Sequence, residues 1–489
     1  MECGSIEVQL HFHNADGYPV EIYGDTEHKS YIIRVETRDL YNDASNPAKQ
    51  SGINEQVKLK VLEGFDCLEA SGEDSEHQLT DANFLTFSTM TKNLSNLALC
   101  ISIFTPGHTS TDPTLVGKGY VTAAYLTGSI GRITTTINNS TGFPIGHVKV
   151  GYVLVRAWSL PEGASYHPSE SIEKSMSGPF LCGHRGAGES FNTTTPSEFP
   201  ENTIAAFKAA KSLGVHFVEF DVHVTKDHVP VVFHDDTVKL SVETSNQKFA
   251  IDFEIPVKDL TFQQTRHVKV WQRSVVLDDP ENDSVIDGFT DKVVAEKALF
   301  KDPLKRHHEK SLFPTLKEAF LEVSSETGFF IEVKYPMETT VSGNVDHLCT
   351  DGNILVDSIL NVVFENAGSR KVFFICFDPN ICTMLKLKQN RFPVMFLSSC
   401  ENDLWVPYKD MRTRNIASAV AFAKSLGLDG LSLFSTALMQ APADIDRVKK
   451  EGLTLSTWGH ENNQAEKRQW QHEKGIRYIT LDRVCDLLS

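Results

Sequence analysis

From residue 179 to the C-terminus the chain repeats one pattern eight times: a short, nearly continuous apolar run, then an amphipathic segment of helix length. The runs lie at 179–183, 215–221, 329–334, 371–377, 393–397, 428–434, 453–458 and 476–481. A strand without period-two alternation is covered on both faces, as in a parallel sheet wrapped by helices. Eight such units predict an α/β fold of the (β/α)8 TIM barrel type, whose strands all open at one functional face. The competing topology is an open doubly wound sheet. It ordinarily carries a G-x-G-x-x-G phosphate loop after its first strand, and that form is not present here.

The first third of the chain reads differently. Runs such as Ile6-Glu7-Val8-Gln9-Leu10, Val57-Lys58-Leu59-Lys60-Val61 and His147-Val148-Lys149-Val150 alternate apolar with polar residues and are separated by turn-forming residues. This predicts an all-β, sandwich-like domain over 1–160. Residues 161–178 are polar, aperiodic and broken by Pro161 and Pro168, as expected of a linker to the barrel at 179–489. Between the second and third barrel runs, residues 239–313 form an insertion. Its charged, aperiodic part at 279–310 is expected to be a mobile excursion on the rim.

Composition narrows the function. A formal net charge of -17 disfavours nonspecific binding to nucleic acid or anionic membranes, which require a positive field. The N-terminus lacks the basic start and apolar core of a secretion signal, and no apolar run reaches the roughly eighteen residues of a membrane span, so a cytosolic protein with no transmembrane segment is expected. Nine scattered cysteines without a Cys-x-x-Cys pair fit reduced thiols rather than disulfides or zinc. The pairs His11/His13 and His307/His308 have no acidic or cysteine partners at ligand spacing and are expected on the surface.

The charged residues that end the apolar runs are the candidate site. His184 and Arg185 follow the first run, Glu219 and Asp221 close the second, Glu332 and Lys334 the third, and Trp458 the seventh. In a barrel these ends meet at one face. Glu219 and Asp221 are two apart, so on a strand they share a side that a cation could bridge. His184 and His234 can pass protons near neutral pH on either side of a scissile P–O bond. Each residue also has a plainer explanation: Glu-x-Asp on a solvated face, Asp235 and Asp236 after His234 in a capped turn, Glu201 and Asn202 capping a helix, Trp458 in the core. At strand C-termini, the tryptophan could instead stack on a cationic substrate group.

Taken in order, Gly183-His184-Arg185-Gly186, Pro200-Glu201-Asn202-Thr203, Glu219-x-Asp221, Thr225-Lys226-Asp227, His234-Asp235, Phe313-Pro314-Thr315-Leu316 and Ile331-Glu332-Val333-Lys334 resemble the glycerophosphodiester phosphodiesterase family over about 179–489. The resemblance implies metal-dependent cleavage of glycerophosphodiesters. Glu219, Asp221 and Glu332 match its metal-binding acids, His184 and His234 its catalytic pair, and Arg185 and Lys334 its phosphate-side cations. Glu201 and Asn202 would stand behind them. Three carboxylates suit a hard ion, Mg2+ or Ca2+, better than zinc. Attack by water and attack by the glycerol 2-hydroxyl through a cyclic phosphate are both compatible with these residues. One departure is His228, where the family usually has glycine after Thr225-Lys226-Asp227; a positive φ is less comfortable there for histidine.

The β-domain, the insertion and the absence of a membrane span are most similar to the cytosolic eukaryotic glycerophosphocholine phosphodiesterase branch, and a chain lacking that branch's N-terminal starch-binding-type domain is expected. The expected reaction is glycerophosphocholine to glycerol 3-phosphate and choline. The alternatives are glycerophosphoethanolamine, glycerophosphoinositol or a lysophospholipid as substrate, or an interaction protein working through its β-domain, whose partner the sequence does not name. A lysolipid enzyme would need an apolar patch at the barrel mouth, and no such run is evident in the sequence.

Overall fold

The structure, a computed structural model, describes residues 1–15, 17–25, 30–40, 56–72, 75–106, 113–162, 179–189, 199–243, 250–267 and 313–488. The barrel strands are β1 (Phe180–Gly183), β2 (Phe217–Val224), β3 (Gly328–Val333), β4 (Val372–Cys376), β5 (Val394–Ser398), β6 (Gly430–Phe434), β7 (Thr454–Trp458) and β8 (Tyr478–Leu481). They pair in parallel in that order, and β8 pairs back on β1, which closes the barrel.

Alternation along each strand divides two cores. Phe180, Phe217, Phe330, Phe373, Met395 and Tyr478 point inward and plug the barrel, with Phe217 within 5.3 to 5.8 Å of Phe330, Phe373 and Tyr478. Val218, Phe220, Val222, Ile331 and Phe374 point outward into the helix-facing core. On β2 the residues two and four after Phe217 are Glu219 and Asp221, so the acids form the inner layers directly above the plug, toward the C-terminal face.

The insertion contains a two-stranded antiparallel sheet, Thr237–Glu243 with Ala250–Pro256, and a short helix, Phe262–His267. The expected rim excursion at 279–310, His307/His308 and nearly all of the expected linker lie outside the described residues.

The N-terminal domain is all-β. Its antiparallel strands, from Ile6–Phe12 to Pro144–Arg156, form one continuous ladder rather than two separate sheets. Strands far apart on that ladder nonetheless share one core, in which Val8, Leu10 and Val150 join Ile33, Val35 and Ile101. The expectation that His11 lies on the surface is corrected: it is 5% exposed. Strand Ile6–Phe12 turns Val8, Leu10 and Phe12 into the domain core, and its other face, with Gln9 and His11, is buried too. Against that face lies the barrel. Leu62, Phe84, Val153 and Val155 of the β-domain belong to the barrel's outer core. His13 is also held there, stacked 5.1 Å from Phe84 at an interplanar angle of 6°.

Candidate active site

The loop after β1 is shaped by its glycines. A Cβ on Gly183 would collide with the carbonyl oxygen of Gly186, so the turn closes only around glycine. Arg185 within it takes φ 48°, and its backbone N–H donates to Glu219 Oε2 at 2.9 Å. The strained turn thereby places His184 and Arg185 over the carboxylates of β2.

Glu219, Asp221 and Glu332 each bring a carboxylate oxygen into one group whose atoms lie within 4.8 Å of one another. Glu219 Oε1 is buried and, among the described residues, accepts no hydrogen bond. Burial, with Asp221 beside it, pushes the Glu219 carboxyl up to about 8. Burial would raise Asp221 as well, but Lys334, His234 and Arg185 outweigh it and hold that carboxyl well below the usual range. A buried carboxylate pair with an orphaned oxygen is a geometry that a divalent cation satisfies, and an all-oxygen donor set fits Mg2+ or Ca2+.

The cations sit around this group. Lys334 Nζ donates to Glu332 Oε1 at 2.8 Å and lies 3.4 Å from Asp221 Oδ1. Burial pulls its pKa down, yet Glu332 and Asp221 lift it above the ordinary lysine value. Arg185 donates from Nη1 to Glu201 Oε1 at 2.8 Å, while its Nε, 3.7 Å from Asp221 Oδ2, has no acceptor among the described residues. Glu201 and Asn202 buttress the site rather than cap a helix. Asn202, at φ 58°, donates from Nδ2 to Asp221 Oδ2 at 2.9 Å, and the helix Ile204–Ser212 is capped by Thr203.

Both histidines line the same cavity, of about 600 Å³, as the three acids. His184 Nδ1 lies 2.6 Å from Asp482 Oδ1, just past β8, and His184 Nε2 lies 3.8 Å from Glu219. Burial and Arg185 depress the His184 imidazole, but Asp482 and Glu219 prevail and raise it to about 9. His234 is oriented similarly, with Nδ1 at 2.7 Å from Asp235 Oδ1. In both rings the paired Nδ1 leaves Nε2 as the nitrogen available to a ligand. His228 takes φ 61°, the left-handed geometry its turn requires, and stands apart from the cavity.

Strands β4 to β7 close the far side of the barrel mouth with an aromatic wall. Trp458 lies 5.0 Å from Phe434, 5.6 Å from Phe377 and 6.4 Å from Trp405, and Tyr408 lies 5.9 Å from Phe377. Sequence reasoning found Trp458 but missed the others, and it missed Asp482. Phe377, Phe434 and Asp482 each sit at or one residue past a strand end, so the rule that singled out His184 would have found them. Trp405 and Tyr408 lie in a loop after β5 and carry no local signal.

Residues 184–485 match the glycerophosphoryl diester phosphodiesterase family, and residues 7–159 match the GDE1-like C2 domain. Human glycerophosphocholine phosphodiesterase GPCPD1 is 31% identical over 98% of this chain and 72% of its own length. Glycerophosphocholine phosphodiesterase GDE1 of Candida albicans is 32% identical over 73% of this chain and 33% of its own. The Caenorhabditis elegans GPCPD1 homolog 1 is 28% identical over 83% and 58% respectively.

Proposed function

This chain belongs to the glycerophosphoryl diester phosphodiesterase family, and from that membership we propose that it hydrolyses glycerophosphocholine to glycerol 3-phosphate and choline. The observation that carries the choline assignment is the aromatic wall of Trp458, Phe434, Phe377 and Trp405, across the barrel from the three acids and lining the same cavity. A quaternary ammonium donates no hydrogen bond, so aromatic faces are its natural partners, whereas a primary ammonium would require acceptors.

Glu219, Asp221 and Glu332 would hold Mg2+ or Ca2+. Such an ion neutralises charge on the phosphoryl oxygens and makes an oxygen nucleophile easier to deprotonate. Arg185 and Lys334 grip the phosphate, the arginine through the Nε that has no acceptor among the described residues. His184 and His234 exchange protons at Nε2, one removing the proton of the attacking hydroxyl or water and the other delivering one to the departing choline oxygen. Asp482 and Asp235 fix the tautomer of each ring. Among the described residues no helix is long and apolar enough to cross a membrane.

A second reading has its own observation. Val341, Leu404 and Val406 are 79%, 65% and 48% exposed on the mouth loops, an apolar rim that the sequence did not reveal and that a lysophospholipid chain could follow. One assay separates the two: purified protein with glycerophosphocholine, glycerophosphoethanolamine, glycerophosphoinositol and lysophosphatidylcholine, with Mg2+, Ca2+ or chelator, following choline and glycerol 3-phosphate. Preferential release of choline from glycerophosphocholine supports the first reading. Turnover of lysophosphatidylcholine alone replaces it with the second.

A further inference from the structure

The two loops that frame the aromatic wall are paired with each other and anchored on the β-domain. Residues 335–351 follow Lys334 and residues 399–413 follow β5. Across the pair, Lys409 N donates to Glu338 O and Thr340 N to Pro407 O, both at 2.9 Å, and Thr339 bridges Tyr408. Tyr408 and, three residues earlier, Trp405 therefore owe their position to this short ladder.

The β-domain meets both loops. Glu338, with a side chain 10% exposed, accepts from Lys409 Nζ at 3.1 Å and from Arg132 Nη1 of the β-domain at 3.0 Å on the same oxygen. Where the first loop returns to the barrel, Ser129 N donates to Asp351 Oδ2 at 3.0 Å and Gly352 N to Ser129 Oγ at 2.6 Å. A Cβ on Gly352 would come within 3.2 Å of that hydroxyl oxygen and 2.9 Å of Met384 Sδ, so the approach suits glycine. Where the second loop returns, Arg412 is clamped by Asp410 and lies 4.6 Å over the ring of Phe84 from the β-domain.

We infer that the β-domain is a working part of the catalytic mouth: through Arg132 and Ser129 it positions the paired loops 335–351 and 399–413, and thereby the choline-facing residues Trp405 and Tyr408. Arg132 and Ser129 are positioning residues, because they act through Glu338, Asp351 and Gly352 and do not line the cavity. A single hydrogen bond or half-exposed ion pair is weak on its own. The anchors matter jointly, since a ladder this short cannot hold itself.

The inference rests on the choline reading for the identity of the ligand, but its primary readout needs no ligand. In the full chain, the double variant Arg132→Ala with Ser129→Ala is expected to speed amide exchange at Thr340 and Lys409 by roughly ten-fold while barrel-strand amides keep wild-type rates. KM for glycerophosphocholine is expected to rise roughly three- to ten-fold with kcat within about two-fold, and Arg132→Lys with Ser129 intact is expected to restore both readouts. Wild-type exchange at Thr340 and Lys409 in the double variant would overturn the inference. If the double variant is globally loosened, so that barrel amides also exchange faster, Arg132→Ala alone is read by the same two criteria. A wild-type chain that released no choline would remove the functional reading, and the exchange result would still decide this one.

Discussion

His184 Nδ1 and Asp482 Oδ1 stand 2.6 Å apart across the seam where β8 closes on β1. They are almost three hundred residues apart in sequence, and only barrel closure brings them together. The contact fixes which ring nitrogen faces the cavity, as a second carboxylate, Asp235, does for His234.

Asp482→Asn should therefore leave the barrel folded but allow the wrong tautomer of His184. A drop in kcat of roughly 10²-fold is expected, with KM changed little and a lower melting temperature, because the buried His184–Asp482 pair is lost. Steady-state kinetics beside a thermal melt check this; full activity would show that His184 needs no orienting partner.

Trp458→Leu removes an aromatic face from the wall while keeping an apolar side chain. With about 1–2 kcal/mol for a desolvated cation–π contact, KM for glycerophosphocholine should rise roughly five- to thirty-fold. A glycerophosphodiester with an uncharged alcohol should lose nothing. Equal losses on both substrates would place Trp458 in the packing rather than at the choline group.

Gly183→Ala tests the turn that carries His184 and Arg185. The added methyl meets a backbone oxygen, which cannot swing aside as a side chain can. Destabilisation of about 1–3 kcal/mol is expected, together with loss of activity. Denaturant unfolding measures the first, and a variant as stable and active as wild type would show that the turn has another conformation available.

Asp410 gives a pH signature at the domain junction. Burial would raise its carboxyl, but Arg412 outweighs burial and holds it well below its ordinary 3.8. A depressed folded pKa means that the unfolded chain binds the proton first, so the stabilisation is complete above the unfolded value and is lost as pH falls toward the folded one. The stability difference between wild type and Asp410→Asn should stay constant from about pH 7 to 5 and shrink below about pH 4. A difference that widened in acid would contradict the sign.

The sequence exposed the barrel clearly because its signal is local. Each barrel strand starts within two residues of an apolar run visible in the chain, and the acids of β2 and β3 stand out as charges ending such runs. What stayed hidden depends on contacts between distant segments. His11 alternates as a solvent-facing residue should, yet its face is covered by another domain, and alternation cannot tell water from a neighbouring barrel. Trp405 and Tyr408 sit in an irregular loop whose geometry comes from pairing with residues 338–340. Asp482 was readable by the strand-end rule, but its partnership with His184 needed the closure of the barrel.

The most direct test is choline release from glycerophosphocholine by chelator-treated protein as Mg2+ or Ca2+ is restored, in wild type, Glu219→Ala and Glu332→Ala. Wild type should regain activity with added cation, while both variants stay folded and inactive at every concentration. Undiminished choline release in chelator, or near-normal rates in either variant, would contradict a three-carboxylate metal site as the centre of this enzyme.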